Sequence, residues 1–240
     1  MTEAVLVTGG SGGIGRAIAR RAAEAGWRVV NLDLHPPAAP LPVEDFVACD
    51  VSDLGATRAA LAAIAERHAP TRLVNNVGIV RPASLEETRA EDLAAVVEVN
   101  LRSAVLAAQA LLPAMRAARF GRIVNIASRA ALGKELRTSY AASKAGLLGL
   151  TRTWALELAA DGITVNAIGP GPIATELFRR ANPDNSPRTR AIIEGVPVKR
   201  LGTPEDVAHA AAFYLDERAG FVTGQTLYVC GGLTVGLAGA

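Results

Sequence analysis

Short apolar runs alternate with longer alanine-rich stretches along the whole chain, and this alternation limits the fold more than any other feature. Residues 4–7, 28–32, 46–48, 72–74, 122–126, 164–167 and 227–229 read as strands. Residues 14–25, 54–68, 91–118, 139–160 and 204–215 read as the helices between them, the last with Pro204 in its first turn, where a missing N–H costs nothing. The strand candidates are apolar throughout rather than alternating, which predicts a parallel sheet covered on both faces. Right-handed crossovers then give a doubly wound α/β fold. Residues 169–202, rich in Pro and Arg, read as irregular. Pro36-Pro37-Ala38-Ala39-Pro40 lies between early strands and reads as a surface loop, not a linker. Residues 1–240 are therefore expected to form a single domain of about seven strands with helices on both faces.

Composition closes other routes. Half the residues are hydrophobic but only 4% are aromatic, and Ala makes up about a fifth of the chain. With a net charge of +2 there is no basic excess, and there are few aromatics to stack on bases, so nucleic acid is not an expected partner. Cys49 and Cys230 are too few for a disulfide framework and suggest a reducing compartment. No basic leader precedes an apolar run at the start. The most apolar stretch, 104–115, is interrupted by Gln109 and Pro113, so neither a signal peptide nor a membrane span is expected. The expected location is cytoplasmic. His35, His68 and His209 are scattered without ligand spacing, and no metal site is expected.

The first strand ends in Thr8-Gly9-Gly10-Ser11-Gly12-Gly13-Ile14-Gly15 and runs into a helix. Glycines allow a tight turn and close backbone approach, and a helix N-terminus offers unpaired N–H groups with partial positive charge. The string supports phosphate binding, although a plain strand–helix turn would also use it. Asp33, 18 residues past Gly15 at the end of the second strand, adds a carboxylate placed to accept ribose hydroxyls. That carboxylate would repel a 2′-phosphate, and neither Leu34 nor Gly12 supplies a cation, so NAD is the expected cofactor. Arg16, just after the last glycine, is the one nearby cation. Two registers remain open: Gly10, Gly12 and Gly15 fit G-x-G-x-x-G, while Thr8, Gly9, Gly13 and Gly15 fit T-G-x-x-x-G-x-G.

Tyr140 and Lys144 stand four residues apart at the start of a long helix and share a face. A close cation favours the phenolate, which suits Tyr140 to proton exchange with an alcohol or carbonyl oxygen. Ser128 follows the strand at 122–126, at the end where such folds place ligands. These residues, taken in order with the glycine string, resemble the short-chain dehydrogenase/reductase family over nearly the whole chain. The resemblance selects the register Thr8, Gly9, Gly13 and Gly15. Asp50-Val51 resembles the family's adenine-contacting pair, and Asn75-Asn76-Val77-Gly78 its N-N-A-G motif. Asn100 matches its helix asparagine, and Ser128, Tyr140 and Lys144 match its catalytic trio. Pro170-Gly171-Pro172-Ile173-Ala174-Thr175 matches the segment at the nicotinamide end.

The resemblance implies a Rossmann fold and a nicotinamide-dependent alcohol dehydrogenase or ketoreductase, most similar to 3-oxoacyl-carrier-protein reductases. It implies that Tyr140 is the general acid/base, that Ser128 positions the substrate oxygen, and that Lys144 binds the nicotinamide ribose and lowers the Tyr140 pKa. Asn100 would support a water relaying protons to Lys144. Gly9, Ser11, Gly13, Ile14, Gly15, Asp33, Asp50, Val51, Asn76, Val77, Gly78, Lys144, Pro170, Gly171, Ile173 and Thr175 would hold the cofactor. A homo-oligomer, most often a tetramer, is also implied. Val77 departs from the usual Ala, Ser128 and Tyr140 are 12 residues apart where 13 is commoner, and Cys230 replaces a frequent Asp. Cys230 reads as a small buried residue.

The substrate is less legible. Residues 176–200 correspond to the family's substrate-covering lid. Leu177, Phe178, Val196 and Val198 there are candidates to face an apolar substrate. From residue 179 to 200 the chain has six Lys/Arg against Asp184 and Glu194, a net +4 that leaves −2 for the remainder. With Arg129, Lys134 and Arg137 near Ser128, this charge suits a small-molecule substrate carrying an anionic group. A secondary alcohol or ketone is the leading substrate class, with a 3-oxoacyl thioester on acyl-carrier protein or CoA as an alternative. A non-catalytic NAD-binding regulator is the alternative of another class, but it has no need of the complete Ser128, Tyr140, Lys144 and Asn100 set.

Overall fold

The computed structural model describes residues 3–184 and 186–236. Residues 1–2, which open the segment read for a leader, residue 185 of the lid and residues 237–240 lie outside the described residues. Among the described residues, seven parallel strands form one sheet in the order β3-β2-β1-β4-β5-β6-β7. They are β1 (Ala4–Thr8), β2 (Arg28–Asp33), β3 (Glu44–Ala48), β4 (Arg72–Asn75), β5 (Gly121–Ile126), β6 (Ile163–Pro170) and β7 (Thr226–Val229). The order reverses between β1 and β4, which opens a crevice beyond their carboxyl ends.

The described residues form eight α-helices: α1 (Gly13–Glu24), α2 (Leu54–His68), α3 (Ala90–Val97), α4 (Ser103–Ala118), α5 (Thr138–Leu158), α6 (Glu176–Ala181), α7 (Pro187–Gly195) and α8 (Pro204–Leu215). Two main clusters fill the two interfaces. Leu6, Leu73, Leu111, Met115 and Ile123 belong to one, while Val5, Val7, Ile18, Val124 and Val207 belong to the other. Consecutive residues of one strand thus feed opposite faces, which is why apolar residues follow one another along the strands instead of alternating with polar ones. The continuous stretch Ala90–Ala118 has the length and hydropathy of a membrane span, yet Leu111 and Met115 are wholly buried against the sheet. It is a core element of the globule.

Two expectations need correction. The helix expected over 91–118 is divided by a π-helical turn, Glu98–Arg102, between α3 and α4. A wide turn of this kind shifts the helical face, and here it contains Asn100. The segment expected to be irregular over 169–202 contains the end of β6 and two short helices, α6 and α7. Thr175 caps α6 by accepting from the Phe178 N–H, and Ser186 caps α7 by accepting from the Thr189 N–H, with Pro187 in the first turn. Those caps were present in the sequence, but the helices they start are too short to show periodicity.

Buried polar pairs tie helices to the sheet. Asn75 donates to the Asn125 side chain at 2.8 Å, and Asn125 donates to Thr151 of α5 at 2.9 Å. This line crosses two strands and fixes the helix that carries Tyr140 and Lys144. At the opposite end of the sheet, buried Arg72 donates to the last carbonyl of α8, Leu215, and lies between the rings of Trp27 and Phe120. The framework is closed there, so the open crevice is left at the carboxyl ends.

Candidate active site

Every site residue expected from the sequence lies at or just beyond the carboxyl end of a strand, or on an element packed there. Gly9 to Gly15 join β1 to α1, Asp33 ends β2, and Asp50 and Val51 follow β3. Asn76, Val77 and Gly78 follow β4, Ser128 follows β5, and Pro170 to Thr175 end and follow β6. Asn100 lies in the π-turn, and Tyr140 and Lys144 lie in the first two turns of α5.

The glycine loop is built by contacts that only glycine permits. Gly15 passes so close to the Gly9 carbonyl that a Cβ there would sit 2.0 Å from the oxygen. Gly9 takes a positive φ of 68°, a backbone region that side chains rarely adopt. Asn76 donates to the carbonyls of Thr8 and Gly9 at 3.0 and 2.9 Å, and its own N–H donates to the Thr8 hydroxyl at 3.0 Å. These bonds join the ends of β1 and β4 across the switch point. The Asp33 carboxylate accepts from the Ser11 N–H at 3.0 Å and from the Leu34 N–H at 2.7 Å. It thus holds the loop over the end of β2.

Several contributors were not singled out from sequence. Asn31 is wholly buried beneath the loop and donates to Ser11 Oγ and Glu44. An Asn inside an otherwise apolar strand was the available signal. Glu44, with a side chain 1% exposed, accepts two bonds from Arg16 at 2.8 and 2.9 Å. Arg16 also donates to the Ala39 carbonyl. The Arg16 guanidinium beside the loop is therefore already paired. Thr175 meets the loop from the lid side: a Cβ on Gly13 would touch its methyl at 3.4 Å. Asp50 is exposed, and its carboxylate closes on Ser52, which keeps it below the usual carboxylate range.

The catalytic candidates form a second group. Lys144 is buried, and its ammonium donates to the Ile126 carbonyl at 2.8 Å. Burial lowers its pKa to about 8. A Cβ on Gly78 would lie 3.3 Å from both Lys144 Nζ and Asn100 Oδ1, so Gly78 leaves open a narrow gap beside them. The Asn100 side chain accepts from the Ile79 N–H at 2.8 Å and donates to the Ile79 carbonyl and Ser143 Oγ. Ser143 donates to the Tyr140 carbonyl at 2.8 Å and so links Asn100 to the tyrosine's turn. Ser128 Oγ accepts from the Ala130 N–H at 3.1 Å.

The expected depression of the Tyr140 pKa is not found in this state. Burial raises it, against smaller downward pulls from Ser128 and Arg137. Lys144 Nζ lies 5.8 Å from the ring centre and is directed to Ile126. Desolvation therefore outweighs the nearby positive charge.

Val196 is buried, a Cβ on Gly231 would lie 2.6 Å from it, and with Ile173, Val198 and Tyr228 it lines a cavity under the lid. Leu177 and Val198 are exposed. Cys230 is buried, as its small-residue reading implies, with Sγ 3.3 Å from Thr234 Oγ1.

The residues present fit a dinucleotide. Gly12 caps α1 without a side-chain bond, leaving the first-turn N–H groups for a ligand, and no protein atom lies within 4 Å of a Cβ built on Gly12. Fold and site together define a nucleotide-binding oxidoreductase. A profile of the family described as Enoyl-(Acyl carrier protein) reductase matches residues 9–234. The chain belongs to the short-chain dehydrogenase/reductase family.

It is 38% identical over 239 residues to the (2S)-[(R)-hydroxy(phenyl)methyl]succinyl-CoA dehydrogenase subunit BbsD of Thauera aromatica, covering 95% of this chain and 94% of that one. It is 36% identical over 237 residues to the 3-oxoacyl-[acyl-carrier-protein] reductase FabG of Escherichia coli strain K12, covering 95% and 96%. Among solved structures, the ligand-free aldohexose dehydrogenase of Thermoplasma acidophilum superposes with a TM-score of 0.91 at 33% identity, covering 100% of this chain and 96% of that one. An Agrobacterium tumefaciens structure with bound NADP, provisionally assigned as a 2-deoxy-D-gluconate 3-dehydrogenase, gives 0.89 at 36% identity, with 96% of each chain covered.

Proposed function

We propose that the protein is an NAD-dependent dehydrogenase/reductase that interconverts a secondary alcohol and a ketone, using Ser128, Tyr140, Lys144 and Asn100. The observation that carries this reading is the convergence of Gly78, Asn100 and Lys144 beside a glycine loop that Asp33 holds. When bound, the nicotinamide ring supplies the hydride acceptor or donor. Tyr140 Oη gives a proton to the carbonyl oxygen in reduction and takes it from the hydroxyl in oxidation. Ser128 Oγ holds that oxygen in place. Lys144 holds the nicotinamide ribose, and its ammonium favours the phenolate once it faces the ligand. Asn100 steadies the strand end beside Lys144 and supports a water that passes protons to it.

Two features support NAD over NADP: the Asp33 carboxylate at the ribose end, and the Arg16 guanidinium already committed to Glu44. NADP is bound in the Agrobacterium relative, so the choice is best made by assay. Initial rates should favour NADH over NADPH, and Asp33→Ala should shift the ratio of their kcat/KM values toward NADPH at least about tenfold, since one repulsive charge is removed. A wild-type preference for NADPH rules out this cofactor assignment.

The 3-oxoacyl thioester reading is supported by the relatives named for acyl-carrier-protein and CoA compounds. An NAD(H)-coupled screen over secondary alcohols, ketones, hydroxy acids and acyl thioesters separates the two. We further propose a water-soluble, cytoplasmic homotetramer. Exposed Leu156, Phe213 and Phe221 support self-association, and light scattering tests it.

A further inference from the structure

Glu44 opens β3 at the edge of the sheet, yet its side chain is 1% exposed. A carboxylate is costly to bury unless donors surround it. Here four hydrogen bonds from three residues reach it. Arg16 Nη1 donates to both oxygens, at 2.8 and 2.9 Å, Asn31 Nδ2 donates to Oε1 at 2.9 Å, and the Leu41 N–H donates to Oε2 at 2.8 Å. The Arg16 side chain is 12% exposed, which makes this the most buried ion pair among the described residues. Residues 34–43 join β2 to β3 without a helix, a short path between parallel strands. Arg16 also donates to the Ala39 carbonyl, so the same pair pins that connection to α1.

The network runs from this pair to the adenosine end of the crevice. Asn31 Nδ2, already on Glu44, also donates to Ser11 Oγ at 3.0 Å. Ser11 donates through its N–H to Asp33 at 3.0 Å and through its hydroxyl to the His35 carbonyl at 2.6 Å. A Cβ on Gly10 would lie 2.6 Å from Asn31 Oδ1, so the glycine loop rests on Asn31. One bridging side chain therefore separates Glu44, and the guanidinium it holds, from the loop residue bonded to Asp33.

The position of Arg16 makes its pairing consequential. It stands in the first turn of α1, the end of that helix whose free N–H groups suit a phosphate. A cation is disfavoured at a helix N-terminus unless an anion faces it, and that turn holds no acid of its own. Glu44, brought in from β3, is the anion. Without it, a largely dehydrated guanidinium would stand beside the glycine loop with its charge uncompensated.

We propose that Glu44 is a specificity-determining residue, which holds Arg16 and so withholds that cation from the 2′-phosphate of NADP. This deepens the cofactor reading above and rests on its placement of the adenosine ribose at Asp33. Two separate effects then reject the 2′-phosphate: Asp33 repels it, and Glu44 removes a charge that would attract it. Glu44 acts through Arg16 and is a positioning residue. In Glu44→Gln one acceptor oxygen remains, and an NH2 group replaces the other among donors that need an acceptor. The guanidinium loses its counter-charge, and a 2′-phosphate is an anion that can take its place.

The test is fluorescence titration of wild type, Glu44→Gln and the Arg16→Gln/Glu44→Gln double variant with NADH and with NADPH, which needs no substrate. The two nucleotides differ only in the 2′-phosphate, so a merely structural loss weakens both alike and cancels in the ratio of their Kd values. The expected result is a shift of that ratio toward NADPH by about tenfold or more in Glu44→Gln, most of which disappears in the double variant. A ratio unchanged in Glu44→Gln, or a shift that persists without Arg16, overturns the proposal. Should Glu44→Gln fail to fold, Glu44→Asp keeps the charge but shortens its reach by one methylene. A shift toward NADPH of about threefold or more then supports the proposal, and an unchanged ratio overturns it. A wild-type preference for NADPH overturns the NAD reading alone, since the change between wild type and variant still decides the role of Glu44. Failure of the wild type to bind either nucleotide overturns the cofactor reading and this proposal with it.

Discussion

Replacing Tyr140 by Phe should reduce turnover by about 10²–10⁴-fold while NADH still binds, because the substitution removes one oxygen and little else. Tyr140 stands in the first turn of α5, whose position is set by buried bonds that do not involve the phenol, among them Asn125 to Thr151 and Asn100 to Ser143. The fold and the cofactor cradle should therefore survive. Initial rates in both directions, with NADH affinity followed by fluorescence, separate the two effects. The pH profile adds a check on the cause. Burial raises the Tyr140 pKa, so oxidation, which needs the phenolate, should rise with pH into the alkaline range, and reduction, which needs the phenol, should fall there. Lys144, lowered by burial to about 8, loses its charge at lower pH than the phenol titrates and so limits that rise. In Tyr140→Phe the pH-dependent limb due to the phenol should vanish. Turnover within twofold of wild type would remove Tyr140 from the mechanism.

The sequence carried most of this site because each motif sits at a strand end. A parallel sheet brings all such ends to one edge, so correct strands and their order place Gly15, Asp33, Asn76, Ser128 and Thr175 together without further information. What it could not show was set by contacts between distant residues. The π-turn at Asn100 is invisible to helical periodicity, since its neighbours remain apolar and alanine-rich, and it is recognised only through the bonds from Asn100 to Ile79. The helices of the lid begin at Thr175 and Ser186, good capping residues, but they run for 6 and 9 residues, too few for a periodic signal. The commitment of Arg16 to Glu44 links residues 28 apart, and nothing local announces it. Nor does sequence weigh desolvation against charge at Tyr140. The spacing of Tyr140 and Lys144 suggests attraction alone, while the folded site adds burial, which wins before a ligand is present.

The other large effect is expected at Gly15, and its contrast with Gly12 makes it specific. A methyl group on Gly15 would meet the Gly9 carbonyl oxygen at 2.0 Å, the Asn76 amide nitrogen at 2.5 Å and the Gly9 carbonyl carbon at 2.8 Å. Two of these are backbone atoms, so no rotamer change relieves the clash, and the loop or α1 must move by about an ångström or more to restore ordinary contact. Either movement breaks the bonds from Asn76 to Thr8 and Gly9 that hold the ends of β1 and β4 together. Gly15→Ala should therefore cost about 1–3 kcal/mol of stability. It should also weaken NADH binding by about 100-fold or more, since the phosphate-binding N–H groups lose their alignment. Gly12 lies three residues earlier in extended backbone, and a methyl there would touch no protein atom within 4 Å. Gly12→Ala should leave the melting temperature within a degree or two, and any loss it causes should appear only in NADH affinity. Melting curves and fluorescence titrations of the two variants thus distinguish a glycine required by the fold from one required by the ligand. If Gly15→Ala binds NADH as wild type does, the loop is not the phosphate cradle, and the cofactor must be sought elsewhere along the crevice.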